Sequence, residues 1–152
     1  MSLNRNPEIV HWGVTHYVFV EKVGQFKETA PKSWHELHAL IPKIAAKNKI
    51  EKHFAEYKVG PAAVYRAGVS VAGPPVDLPA GVRYEALPGG KYSRFTYVGP
   101  YTGLPAVSGE VWSHVREKEI AVRDDFALEY YVNNPQEVQE SELVTEILIP
   151  TM

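Results

Sequence analysis

The feature that most restricts what this chain can fold into is a short pattern that occurs twice. Val23-Gly24-Gln25-Phe26 closes one apolar, strand-like stretch, and Val98-Gly99-Pro100-Tyr101 closes another, 75 residues further along a chain of 152. In each copy a glycine after an apolar residue frees the backbone to turn toward a helix, and an aromatic follows that can pack beneath it. The order of elements around the two copies also agrees: both halves read strand, helix, strand. The chain is therefore read as a duplicated α+β unit within one domain, 1–152, with pseudo-repeats over about 8–73 and 80–150. Neither copy is large enough to bury its own sheet face well. Two of them are expected to pack about a pseudo-twofold axis, with antiparallel sheets and a ligand cleft at the seam.

The elements follow from periodicity. From Ile9 to Phe26 the sequence is rich in Val, Tyr, Phe and Trp, with Val10, Trp12 and Val14 alternating against His11, Gly13 and Thr15, which predicts a single long strand. Thr29-Ala30-Pro31 supplies a helix start, and Trp34, Leu37, Ile41 and Ile44 follow at helical spacing. Pro42 predicts a kink or restart, because proline removes a backbone donor and clashes with the preceding turn. Ala62 to Ala72 reads as strand with Gly68 a bulge candidate. Gly73 to Pro79 reads as a connection. Strands are predicted over Arg83–Leu87 and Lys91–Val98 around the turn at Pro88-Gly89-Gly90. Leu104, Val107, Val111 and Val115, with Trp112 beside them, mark an amphipathic helix. Two strands close the chain, Phe126–Val132 and Leu143–Ile149, parted by the turn signal Asn133-Asn134-Pro135.

Composition excludes several chemistries. The chain has no cysteine, so disulfides, cysteine-ligated zinc and thiol nucleophiles are out. With 16 Lys+Arg against 18 Asp+Glu it lacks the basic excess of a general nucleic-acid binder. The N-terminus is polar and carries no signal-peptide-like or membrane-spanning run, so a cytoplasmic location without membrane association is the expectation. His35 and His38 stand three apart, not the four a zinc-protease helix needs, and no other His/carboxylate cluster has ligand spacing. No metal and no cofactor are expected. No phosphate-binding glycine loop, dinucleotide fingerprint or nucleophile elbow is present. Nine Tyr and three Trp stand beside only five Phe. Most rings thus carry a polar handle, as suits either a selective binding cavity or core and sheet positions whose tips reach water.

Six segments in order, Pro79-Ala80-Gly81-Val82, Leu87-Pro88-Gly89-Gly90-Lys91-Tyr92, Val98-Gly99-Pro100-Tyr101, the helix around Trp112, Phe126-Ala127-Leu128-Glu129-Tyr130-Tyr131 and Glu146-Ile147-Leu148-Ile149-Pro150, resemble the GyrI-like small-molecule-binding domain. This is the effector-binding module of AraC-type and MerR-type transcription regulators. The resemblance spans nearly the whole chain. It implies a duplicated strand-helix-strand-strand fold and an aromatic-lined pocket with a central acidic residue that recognises lipophilic, often cationic, aromatic compounds. The expected occupancy of the chain by this domain leaves no helix-turn-helix arm, so a regulatory role calls for a separate regulator protein, and direct DNA contact is not expected. A homodimer is the other partner to consider.

Glu129 matches the family's acidic residue best. By strand alternation it shares a face with Tyr131, while Leu128 and Tyr130 share the other. Glu146 is a second acidic candidate. Trp34 and Trp112 lie on apolar helix faces, where either core packing or pocket lining suits them, and Tyr65, Tyr92 and Tyr101 complete the candidate ligand-binding set. An exposed strand face would equally hold Glu129 as a solvated side chain. Three functions follow from the resemblance: binding of hydrophobic, cationic or aromatic small molecules for sensing or sequestration; hydrolysis of strained cyclopropyl toxins with Glu129 as the catalytic carboxylate; and inhibition of a protein, as by the gyrase inhibitor that names the family.

Overall fold

The structure is a computed structural model that describes residues 2–152. It is an α+β fold of antiparallel strands and two long helices, organised as two compact units: Gly13–Gly89, and the N-terminal segment up to Trp12 joined to Gly90–Met152. Strands β1 (Ser2–Leu3) and β2 (Glu8–Trp12) belong to the second, split unit.

The contiguous unit holds β3 (Thr15–Val23), α1 (Phe26–Ala45), β4 (Ile50–Lys58), β5 (Val64–Val71) and β6 (Arg83–Leu87), with strand order β4-β5-β3-β6. Helix α1 starts a turn earlier than Thr29 and runs unbroken through Pro31 and Pro42, so the restart predicted at Pro42 does not occur. Leu37 and Ile44 of α1 and Val18, Val20, Ala55, Ala67 and Val69 of the strands form the core beneath the helix. Each fully buried Leu or Ile contributes about 1.5–3 kcal/mol relative to exposure. On the other face the rings of Tyr17 and Phe54 stack at 4.3 Å, and Tyr17 and Phe19 at 5.2 Å. Gly68 makes this possible, because a Cβ there would stand 2.4 Å from the Tyr17 ring. It is a site of close approach within a regular pairing to Phe19 and Phe54, not the bulge expected from sequence. The irregularity falls instead between Ile50 and Lys52 of β4.

The split unit adds β7 (Gly90–Val98), α2 (Leu104–Glu117), β8 (Ala127–Tyr131) and β9 (Val144–Pro150). Its strands run β1-β7-β9-β8, and β2 also pairs β7. The single strand expected from Ile9 to Phe26 is thus two. The chain leaves strand geometry at Gly13-Val14; β2 pairs with β7, whereas β3 pairs with β5 and β6.

The duplication is visible in backbone detail. Val23 lies opposite Val64 and Val98 opposite Val144. The Gly24 N–H donates to the Ala63 carbonyl at 2.9 Å, and the Gly99 N–H donates to the Leu143 carbonyl at the same distance. Both glycines have positive φ, 140° and 155°, a conformation side-chain-bearing residues rarely adopt. After each turn an aromatic packs on the strand that follows the helix: Phe26 on Tyr57 at 5.7 Å, Tyr101 on Tyr131 at 5.4 Å. Among the described residues no helix is long and apolar enough to cross a membrane.

Candidate functional site

The site is built on one face of β8 in the split unit. Alternation puts Glu129 and Tyr131 on the same side of the strand, and the Tyr131 hydroxyl donates to Glu129 Oε1 at 2.6 Å. Tyr101, in the 3-10 turn Tyr101–Gly103 that follows Gly99, meets the Tyr131 ring edge-on. Glu129 is half-buried. Desolvation by burial pushes its carboxyl above the ordinary range, with the Tyr131 hydrogen bond acting the other way. Tyr101 is raised as well, first by burial and then by the charge of Glu129. Two phenols and one desolvated carboxylate therefore share a small volume. Such a carboxylate gains from a cation that replaces lost hydration, and the ring faces add attraction of their own.

The remaining candidates lie elsewhere. Glu146, opposite Tyr130 across β8 and β9, faces the other side of that sheet, 3.8 Å from the Arg94 guanidinium. Tyr130 is raised by burial and by the Glu146 charge. Tyr92 is buried on this same second face, with Trp12 at 6.2 Å and the Arg123 guanidinium 5.1 Å above its ring. Trp12 also meets Tyr130 edge-on at 5.9 Å. Tyr65 and Trp34 belong to the contiguous unit, where the Trp34 indole N–H donates to the Tyr65 hydroxyl at 2.7 Å. Trp112 is half-buried on α2. Sequence patterning does not single out Thr145, which stands opposite Tyr131 and is fully buried; only the strand register brings it to the site. Nor does it single out Trp12, whose alternation within an apolar stretch looks like that of any strand residue.

No group of His, Asp and Glu among the described residues is arranged to hold a metal ion.

Comparison with known proteins agrees with the architecture. Residues 5–152 match the family model of the GyrI-like small molecule binding domain. No curated protein matches the sequence. Among solved structures, the EcmrR C-terminal domain superposes with a TM-score of 0.77 at 14% identity, covering 100% of this chain and 99% of that one. Against EcmrR in its DNA complex the TM-score is 0.75 at 14% identity, over 95% of this chain but only 56% of that one. SAV2435 bound to tetraphenylphosphonium gives 0.73 at 15% identity, covering 97% and 94% of the two chains. A hydrolase from Listeria innocua gives 0.63 at 12% identity, covering 97% and 92%.

Proposed function

This chain belongs to the GyrI-like small-molecule-binding domain family, and on that premise we propose that it binds lipophilic aromatic cations at Glu129, for sensing or for sequestration in the cytoplasm. The observation that carries this reading is the desolvated Glu129 carboxyl, which accepts the Tyr131 hydroxyl while the Tyr101 ring packs against Tyr131. A monovalent cation offsets the cost of the buried charge, and each ring contact adds about 0.5–2 kcal/mol. Selection then rests on charge and flat apolar area, with few directional hydrogen bonds, so broad specificity and micromolar affinity, roughly −8 kcal/mol, are expected. The tetraphenylphosphonium bound to SAV2435 supplies the probe. Titration with that cation is expected to saturate at micromolar concentration, with Glu129→Gln weakening binding at least tenfold. Equal affinity of the two proteins rules out the role given to Glu129.

A second reading is favoured by the short Tyr131–Glu129 hydrogen bond. A carboxylate of raised pKa is also a general base for water; the Tyr131 hydroxyl orients it, and the Tyr101 phenol is the donor this reading assigns to a developing enolate-like oxygen. Product analysis after incubation with a cyclopropyl-dienone separates the two: turnover beyond one equivalent establishes hydrolysis, and intact compound leaves binding alone.

A further inference from the structure

The two halves of the duplication can be aligned residue by residue, and the alignment exposes a difference. Tyr57 lies opposite Tyr65 as Tyr131 lies opposite Thr145. That equates β4 with β8 at an offset of 74 residues and sets Glu129 against Ala55. The same offset matches the inward-facing helix positions Ala30, Ser33, Leu37 and Ile41 of α1 to Leu104, Val107, Val111 and Val115 of α2, all buried or half-buried. Trp34 then corresponds to Ser108, and Tyr65 to Thr145.

In the contiguous unit the Trp34 indole fills the space over the strands and hydrogen-bonds to Tyr65. In the split unit both rings are gone. Ser108 is half-buried, and the Thr145 hydroxyl is buried with no hydrogen-bond partner among the described residues. One copy thus carries an indole at this position, while the copy that carries the acid carries a serine.

We infer that Ser108 sets the depth of the Glu129 site: an aryl ring of the bound cation takes the place that Trp34 takes in the other copy. Specificity for aromatic over compact cations then comes from a side chain too small to fill its pseudo-symmetric position. This rests on the binding reading above and names the residue that decides ligand size. Because the Ser108 hydroxyl has no assigned role in it, the effect depends on bulk alone.

The test is a graded series, Ser108→Ala, Ser108→Leu and Ser108→Trp, titrated with tetraphenylphosphonium beside wild type and Glu129→Gln, with near-ultraviolet circular dichroism to establish native packing. Ser108→Ala is expected to bind within twofold of wild type, Ser108→Leu several-fold more weakly, and Ser108→Trp at least tenfold more weakly. If Ser108→Trp does not pack natively, Ser108→Leu decides. Wild-type affinity in both bulky variants, in a protein where Glu129→Gln is weakened, overturns the depth assignment and leaves the Glu129 reading standing. Loss in the bulky variants with Glu129→Gln unchanged upholds the recess and removes the acid from it. No binding by wild type overturns both.

Discussion

Glu129 illustrates how one side chain ties stability to function. Burial makes the folded protein hold the Glu129 proton more tightly than the unfolded chain does, so stability falls as pH rises from the ordinary carboxylate pKa through the raised one. Glu129→Gln is therefore expected to melt at a higher temperature than wild type at neutral pH, with the difference closing below about pH 4. Thermal melts across pH check this, and a variant that melts lower at neutral pH contradicts it. Cation affinity follows the ionised form and should fall as pH drops through the Glu129 pKa. The Tyr131 hydrogen bond holds that pKa down, so Tyr131→Phe should shift the loss of affinity to higher pH; titrations at stepped pH read the shift directly. At this scale the sequence was partly legible. Alternation is enough to group Glu129 with Tyr131, but Tyr101 joins them through the turn after Gly99, and Thr145 only through a register that no local pattern encodes.

Among the elements, β4 is the one that hydrophobic patterning conceals. Phe54, Ala55, Glu56 and Tyr57 are all buried, so strict alternation of apolar and polar residues never develops, and Glu56 looks like a surface residue until its partner is known. That partner is Arg66 of β5, which binds Glu21 at 2.8 Å, Glu56 at 3.1 Å and Glu85 at 2.7 Å while its guanidinium sits 4.4 Å over the Phe19 ring. Removing the cation takes a charged partner from the buried Glu56, so Arg66→Ala should cost roughly 3–5 kcal/mol in urea denaturation. Glu85→Gln, at an end of the network that is half exposed, should cost about 0–1 kcal/mol. Desolvation lifts the Glu21 carboxyl, yet the hydrogen bond and charge of Arg66, joined by Arg83, outweigh it and hold the pKa below the usual value. Its contribution to stability is present above the unfolded carboxylate pKa and is lost as pH falls through the folded one. Denaturation of wild type and Glu21→Gln should accordingly converge in acid. Gly68→Ala on the same strand forces a methyl against Tyr17 and should destabilise by about 1–3 kcal/mol. Its effect is on packing alone, because the strand pairing around it is regular.

At the scale of the whole molecule the duplication was the most legible property, because two glycines with positive φ and equivalent backbone partners must recur wherever the turn recurs. The partition of the first apolar stretch was not legible. Nothing in the alternation from Ile9 to Phe26 reveals that the part before Gly13 pairs with β7, since β-propensity describes a strand and says nothing of its neighbour. Ligand binding should register on the fold as a unit: at a tetraphenylphosphonium concentration one hundred times the dissociation constant, linkage predicts about 2.7 kcal/mol of added stability, measured as a rise in melting temperature. The pairing of β2 with β7 also has a consequence in time. Residues of the contiguous unit are complete once Gly89 has been synthesised, but β2 must wait for a partner that begins at Gly90. At roughly 5–20 residues per second that delay runs from a few seconds to well over ten. Throughout it, β2 is an unpaired edge, and the unit that carries Glu129 is the last to close.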